Sequence, residues 1–527
     1  MMLNLSKKRY RLRIVDPAYP AFNIYSYSAR RTTALGPVCV ATSASKIENW
    51  DVEIIDENNL RWYGPKADLR GANHEFLQGT RPADIVGLYG GLTSTIPRLY
   101  KIARFYKEKG IITIAGGQHF AGENIEEGLS SGIDYIVIGE GEETIRELIL
   151  ALMGKKDLLD VKGIAYKENG KTIYTEKRDP ITDFDKLPLP DFSLVRYANI
   201  QVYPVERIRG CGMDCEFCTV KGKPRPASAE KLIERISFLL ETKDARKFFI
   251  VDDLFCQDRG ETIRFCKMLR DYQKNVGRRL DLGVQIRLDK ANDTELLRAM
   301  RSAGINFIAM GLESPVGEEL EAMNKRLKPS DMLEQIKVFR KFGFLMHGMF
   351  IFGYPMREGI GFRMPVNERI KHFKEFIKKS RLDTIQVLLP IPLPGTELRT
   401  RLLREKRVYA RQDLGWEYYD GNFLLFEPDE LITPEELQRA PMKIMGKIYQ
   451  FKYMFKVSLN VFYFPSLIFS LHNIKAGWKR WYRLWRQAVI RFAGWITMQK
   501  WQSAFKKNGF LKKLRKAEDN LKKLNPG

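Results

Sequence analysis

Along residues 10–152, short β-branched apolar runs alternate with longer segments whose apolar positions recur every three to four residues. "YRLRIVDP" (10–17), "DVEIID" (51–56), "DIVGLYG" (84–90), "IITIAGG" (111–117) and "DYIVIGEG" (134–141) have the length and glycine boundaries of buried strands. Between several of them, 94–110 and 142–154 read as amphipathic helices. Strand and helix in regular alternation predict a parallel sheet with helices on both faces. In such sheets ligands bind beyond the carboxyl ends of the strands, where "GGLTST" (90–95) and "AGGQHF" (115–120) fall.

The pattern changes at 161. "GIAYKENGKTIYTEK" predicts a hairpin turning at Asn169-Gly170, and the Pro-rich "KLPLPDF" follows. A second alternation begins at Tyr203, with expected strands at 203–209, 247–252, 281–287, 305–312, 344–353 and 383–389 and helices such as 228–242 and 294–304. Six β/α units predict a partial barrel whose functional rim is the carboxyl end of its strands. The expected organisation is α/β throughout. A Rossmann-like doubly wound domain spans 1–155, a hairpin and linker 156–200, a partial (β/α)6 barrel 201–425, and a helical, basic, Trp-rich region 426–527.

Cysteine usage sharpens this picture. The chain has only six cysteines, and three of them stand as Cys211, Cys215 and Cys218 in "CGMDCEFC", directly after the first barrel strand. So few cysteines in 527 residues are no disulfide scaffold and fit a reducing, cytoplasmic compartment. The first residues show no secretory signal pattern, so none is expected. Clustered thiolates favour soft metal centres. Structural zinc wants four ligands, and no fourth Cys or His lies within thirty residues, although Cys256 or Cys266 could supply one. Iron–sulfur is the leading expectation, with zinc and an unliganded or disulfide-forming set as alternatives.

At this point the chain resembles the radical S-adenosylmethionine superfamily, whose signature is C-x3-C-x2-C with an aromatic, here Phe217, before the last cysteine. The resemblance implies a [4Fe-4S] cluster on Cys211, Cys215 and Cys218 whose open iron binds S-adenosylmethionine. Its cleavage yields a 5′-deoxyadenosyl radical that takes hydrogen from unactivated carbon. It further implies S-adenosylmethionine contacts from Phe217, from Asp252 and Asp253 in "KFFIVDD", from Gln285 and Arg287 in "VQIRLD", and from Glu313 in "GLES". Read from the residues alone, Asp252, Asp253 and Glu313 are equally strand-end caps.

The first region is similar to the cobalamin-binding domain of class B members of that superfamily. The resemblance rests on "VEIIDENN" (52–59), "GGLTST", "AGGQHF" and "GIDYIVIGEGEET" (132–144). It implies cobalamin contacts from Thr93, Ser94, Gly116, Gly117, His119, Gly139, Glu140 and Gly141. Glycines let backbone approach a broad flat ligand because they lack Cβ. No histidine stands in a D-x-H-x-x-G pattern, so a corrin without a histidine on cobalt is expected, and His119 doubles as a turn residue. A scaffold that has lost its corrin is the alternative. G-x-G-x-x-G is absent after the first strand, which argues against a dinucleotide.

Charge adds one more expectation. The net charge is +24, and residues 471–527 hold fifteen Lys and Arg against Glu518 and Asp519. Five of eight tryptophans lie there too: Trp478, Trp481, Trp485, Trp495 and Trp501. Basic residues interleaved with Trp mark a membrane surface. The apolar run 457–471 is too short to span one. A peripheral position on the inner face of the membrane is expected, against a packed helical cap and, less favoured, single-stranded nucleic acid. The expected function is cobalamin-dependent methylation of an unactivated carbon in a hydrophobic, lipid- or isoprenoid-like substrate, with an external electron donor. One S-adenosylmethionine would methylate cobalt and a second would start the radical. Radical cyclisation, rearrangement or carbon–carbon coupling without methylation is the alternative. A non-catalytic, membrane-docked cobalamin or redox sensor is the alternative of another class.

Overall fold

The computed structural model describes residues 9–60, 64–66, 71–449 and 474–524. Its first sheet contains β1 (Tyr10–Asp16), β2 (Trp50–Asp56), β3 (Ile85–Tyr89), β4 (Ile112–Gly116), β5 (Tyr135–Val137), β6 (Ile164–Glu168), β7 (Lys171–Tyr174) and β8 (Val195–Arg196). They lie in the order β7-β6-β5-β4-β3-β1-β2-β8. The central strands are parallel, with Tyr10 opposite Trp50 and Asp16 opposite Asp56. Helices such as Leu35–Ala44 and Ile96–Glu108 cover the sheet, whose strands are largely apolar apart from the buried Arg13–Glu53 pair of β1 and β2. The strand order reverses between β1 and β3, and this places a crevice at their carboxyl ends.

The predicted hairpin forms with Asn169 and Gly170 both at positive φ, 48° and 77°, as a two-residue primed turn requires. It does not stand apart from the first sheet. β6 pairs antiparallel with β5, and β8 pairs with β2, so much of the segment expected as a linker completes the sheet at both edges.

The second sheet is the expected partial barrel: β9 (Tyr203–Val205), β12 (Lys247–Ile250), β13 (Asp281–Gln285), β14 (Ile305–Glu313), β15 (Leu345–Ile351) and β16 (Thr384–Leu388), all parallel and in chain order. A short antiparallel ribbon, β10 (Ile208–Arg209) with β11 (Arg225–Pro226), brackets the cysteine loop. Helix Ala229–Lys243 starts where Ser228 accepts the Lys231 N–H.

A six-stranded open barrel leaves edges at β9 and β16. Tyr449, just past helix Pro434–Ile448, covers the second one: its hydroxyl accepts from Ile385 N (3.0 Å) and donates to Ile385 O (2.8 Å). The tail helix Ile474–Lys507 packs alongside, where a Cβ on Gly494 would meet the Tyr449 ring at 2.6 Å. Its inner side buries Met498, Trp501 and Phe505, and helix Phe510–Leu524 adds Phe510 and Leu514. Its outer side leaves Trp485, Val489 and Phe492 about half exposed. The basic tail is therefore a packed cap on one side. The apolar run 457–471, and Trp478 and Trp481 with their contacts, lie outside what is described. No described helix is long and apolar enough to cross a membrane.

Tyr449→Phe removes two hydrogen bonds from a buried strand edge. It should lower stability by ~1–3 kcal/mol, read as a lower denaturant midpoint; an unchanged midpoint refutes the edge-capping role.

Candidate functional site

Chain geometry pins the cysteine loop at its neck. Gly210 has φ +89°, and a Cβ there would meet Lys223 O at 2.5 Å, so only glycine closes this neck without strain. Gly212 N donates to Gly222 O at 3.0 Å, and Gly210 N donates to Asp253 Oδ2 at 2.7 Å. Inside the neck, Cys211 and Cys218 are half-buried, Cys215 is buried, and all three are free thiols.

A buried carboxylate holds the far side of the loop. Glu216 accepts from Tyr354 Oη (2.6 Å) and from Arg401 Nε (2.7 Å) and Nη2 (3.1 Å). Its N–H donates to Met323 O, and its carbonyl accepts from Leu398 N. Gln257 Nε2 donates to Cys211 O at 2.7 Å, and Asn324 Nδ2 to Asp214 O at 3.2 Å. Phe217 is spent on packing, edge-on to Tyr354 with ring centroids 6.3 Å apart.

Burial raises the pKa of all three thiols, and the Lys325 ammonium acts on each in the opposite sense. Lys325 is held 2.8 Å from Glu313. Three free thiols in one clamped loop beside a cation suit a cluster bound by three cysteines. Cys256 and Cys266 are buried in the hydrophobic core. Among the described residues no three Cys, His, Asp or Glu side chains converge as ligands of a single ion. A fourth zinc ligand would have to come from Cys256 or Cys266, both of them core thiols.

Of the six residues expected around S-adenosylmethionine, some stand beside the cysteine loop, some are tied into the scaffold, and Gln285 stands at a strand end. Asp252 is 3% exposed, and its Oδ1 accepts from Arg207 N (2.5 Å) and Ile208 N (2.9 Å). It ties β12 to the ribbon and does not reach the open site; burial pushes its carboxyl up to about 7. Asp253 instead lines the cavity described below. Arg287 reaches the loop with Nη1 on Met213 Sδ at 2.7 Å and pairs with Asp289 at 3.1 Å. Glu313 sits at a register break in β14 with φ +57°, which turns its carboxylate to Lys325. Gln285 is half-buried at the end of β13, its carbonyl accepting from Phe255 N. Asp253, Arg287 and Glu313 are thus gathered around the loop, while Asp252 and Phe217 serve the scaffold.

Between the two domains lies a cavity of about 1780 Å³. Its first-domain wall is the carboxyl edge of the sheet, including Tyr89, Gly116, Gly117, Gly139, Glu140 and Gly141. Its barrel wall includes Val251, Asp253, His347 and Gln386, and Gly494, Thr497 and Met498 of the tail helix close one side. Gly210 and Thr219–Lys221 bring the cysteine loop to its margin.

Five of the eight expected cobalamin residues line this cavity, and Thr93, Ser94 and His119 do not. Gly117 has φ +123° and folds the chain over Gly90, with His119 N donating to Gly90 O at 3.0 Å. This turns His119 inward, edge-on to Trp416 at 4.9 Å and 3.4 Å from Thr93 Oγ1. Burial drives its pKa down to about 3, so the ring is neutral. His74, the other histidine of this domain, is held by Glu57 and Tyr106. Gly139 fits the expectation best: it has φ +89° and nothing within 4 Å of where a Cβ would stand. A large cavity with a glycine edge, and both first-domain histidines packed away from it, suits a corrin without histidine on its metal.

Glu140 is a junction residue. It accepts from Arg225 (2.9 Å), Arg209 (3.2 Å) and Ile181 N (2.6 Å). Arg209 also pairs with Glu142 (2.5 Å) and Glu206 (2.7 Å), and both arginines stack on Phe184. Sequence reasoning missed Lys325, Tyr354, Arg401 and Arg209, and it passed over Glu216 inside the cysteine motif, because what each does depends on partners brought from other elements.

Comparison with known proteins agrees with this geometry. A family model of the B12 binding domain matches residues 28–149, and one of the radical SAM superfamily matches residues 205–358. An uncharacterized methyltransferase of Pyrococcus horikoshii is 28% identical over 403 residues, covering 74% of this chain and 79% of that protein. The hopanoid C-2 methylase of Rhodopseudomonas palustris is 26% identical over 282 residues, 52% of this chain and 50% of that protein. The structure of the radical S-adenosylmethionine methyltransferase TsrM from Kitasatospora setae, with cobalamin and a [4Fe-4S] cluster bound, has a TM-score of 0.59. It is 15% identical and covers 82% of this chain and 81% of that one, a likeness of fold.

Cys211→Ala, Cys215→Ala or Cys218→Ala should each abolish the paramagnetic resonance signal of a reduced [4Fe-4S] cluster after anaerobic reconstitution. Glu216→Gln keeps the thiols but leaves Arg401 with the more exposed Glu405 as its charged partner, at a cost of at most ~3 kcal/mol. It should lower iron retention, and full retention would refute the clamp.

Proposed function

This chain is a member of the radical S-adenosylmethionine superfamily with an N-terminal B12-binding domain, and on that premise we propose that it methylates an unactivated carbon of a hydrophobic, lipid- or isoprenoid-like substrate. It is an enzyme of the cobalamin-dependent radical methyltransferase type, using a [4Fe-4S] cluster, S-adenosylmethionine and cobalamin. These groups supply a radical that takes hydrogen from carbon and a methyl group to replace it.

The observation that carries the substrate reading is the character of the shared cavity. The glycine edge Gly116, Gly117, Gly139 and Gly141 faces it from one domain, and the cysteine loop reaches its margin from the other. Between them the wall is built largely of Ile, Leu, Val, Met and aromatic side chains. An apolar enclosure excludes water from a reactive radical and favours an apolar substrate. The chain's own residues position the reactants: Asp253 braces the neck of the loop, Arg287 and Glu313 offer opposite charges beside it, and Arg209 locks the two halves together. The similarity to a hopanoid methylase is in keeping with such a substrate.

The tail supports attachment to an anionic membrane surface. Trp485, Val489 and Phe492 are spaced for one helix face, each 46–50% exposed, on a segment dense in Lys and Arg. An apolar substrate dissolved in lipid would then lie beside the wall of the cavity that this helix forms.

Turnover in the presence of substrate-bearing lipid extract should release S-adenosylhomocysteine together with 5′-deoxyadenosine. 5′-Deoxyadenosine alone would replace methylation by cyclisation or another radical reaction. For the tail, the Trp485→Ser, Val489→Ser, Phe492→Ser triple variant leaves the buried side of the helix intact. It should lose at least about tenfold in affinity for vesicles containing anionic lipid, an estimate from the apolar area withdrawn; unchanged vesicle binding refutes the attachment.

A further inference from the structure

His347, on β15, faces the barrel half of the cavity and belongs to none of the groups assigned above. Its Nδ1 lies 2.8 Å from Thr384 Oγ1, and its Nε2 stands 3.5 Å from Gln386 Oε1, at the limit of a hydrogen bond. Gln386, on β16, donates from its amide nitrogen to Tyr25 Oη, and Tyr25 comes from the first domain, in the loop after β1. Three elements from two domains thus deliver an imidazole, an amide and a phenol to one stretch of wall, and all three side chains line the cavity. Around them the surface is apolar: Ile24, Ile385, Val387, Leu388, Met445 and Met498.

Polar groups set in an apolar wall cost free energy unless they have partners. Other polar residues of the cavity are occupied in the domain junction, as with Glu140, Glu142, Glu206, Arg209 and Arg225. The His347–Gln386 contact stands at the 3.5 Å limit of a hydrogen bond, so a ligand oxygen at ordinary distance would replace it with gain for both groups. We infer that His347, Gln386 and Tyr25 form a recognition site for a neutral oxygen-bearing group, a hydroxyl or carbonyl, at one end of an otherwise apolar substrate.

Neutrality follows from the surroundings. Burial lowers the His347 pKa, so the ring carries no charge, and the Gln386 amide and Tyr25 phenol are uncharged as well. Asp420, the charged neighbour that acts on Tyr25 after burial, is a carboxyl and gives an anionic head nothing to pair with. A cationic head would find no carboxylate among these three side chains. A hydroxyl both donates and accepts, and it matches a site containing both kinds of group. Such a contact would fix which carbon of a featureless apolar body faces the cysteine loop. The inference rests on the barrel half of the cavity being the substrate's half, and it names what that substrate carries.

The test uses the full chain, reconstituted anaerobically with cluster and cobalamin, and the probes 1-dodecanol and dodecane. With ¹⁵N-labelled histidine, the His347 imidazole resonance, assigned by its loss in His347→Gln, should shift on adding dodecanol and stay in place with dodecane. Dodecanol should bind about tenfold more tightly than dodecane, the worth of one to two buried hydrogen bonds. His347→Phe and Gln386→Met, with cluster and corrin content unchanged, should each lose that preference while retaining dodecane binding. Equal affinity for the two probes, or a preference that survives both variants, overturns the inference. If His347→Phe does not fold, the resonance shift in the unsubstituted chain and the Gln386→Met result decide it. Alcohol preference with no methylated product in turnover would leave this site standing and sink the methylation reading alone.

Discussion

Arg209 bears the constraint on which the rest of this architecture depends. Its guanidinium meets Glu140 and Glu142 from the end of the first sheet and Glu206 from the start of the barrel, all within 3.2 Å. The next residue is Gly210, the neck of the cysteine loop, and the one after is Cys211. One side chain therefore sets the distance between the glycine edge of one domain and the thiols of the other. The partners are largely withdrawn from water, so the attraction is less screened than in a surface ion pair. Removing the arginine would leave Glu142 and Glu206 without this cation and Glu140 with Arg225 alone, and the repulsion among the three carboxylates would loosen the junction.

A similar economy governs the cysteine loop. Thiolates that bind a cluster must be accessible at one margin and immobile elsewhere. Backbone contacts at Gly210 and Gly212 close the neck, and Glu216 anchors the far side to Tyr354 and Arg401 from later elements of the barrel. Few of these contacts approach the open face. Asp252 and Phe217 belong to this anchoring, and neighbouring Asp253 reaches the cavity because successive residues at the strand end point in opposite directions.

The tail helix has a buried and an exposed side. Gly494, Thr497 and Met498 face the cavity, and Trp501 and Phe505 fill the core. Trp485, Val489 and Phe492 remain on the outside. Because the barrel is open between β9 and β16, some element has to cover that side. The tail helix meets this need and still presents the apolar side chains Trp485, Val489 and Phe492 outward, while Arg486 and Arg491 turn inward to Asp281 and to the carbonyls of Leu382 and Asp383. A deletion of the tail would remove part of the core together with that face, so point substitutions on its outer side separate the two roles.

Local pattern alone determined a good deal. Strand and helix positions were legible because periodicity reports burial, and the hairpin at Asn169-Gly170 was legible because two positive φ angles suit those residues. The cysteine spacing was legible because one short loop carries all three thiols. The glycines at 116, 117, 139 and 141 were legible because strand ends in such sheets face ligands. Only the tertiary structure decided which polar residues point where. His119 lies two residues past Gly117 and looked like a ligand contact, yet the φ of +123° at Gly117 turns it under Trp416. Glu140 looked like part of a ligand turn and is held by two arginines of the barrel. His347, Lys325 and Arg401 gain their roles from partners on other elements, many of them distant in the chain. The physical reason is common to all of these cases. Hydrophobic periodicity is a local property of the chain, whereas the destination of a charge or a ring nitrogen is set by which distant segment folds against it.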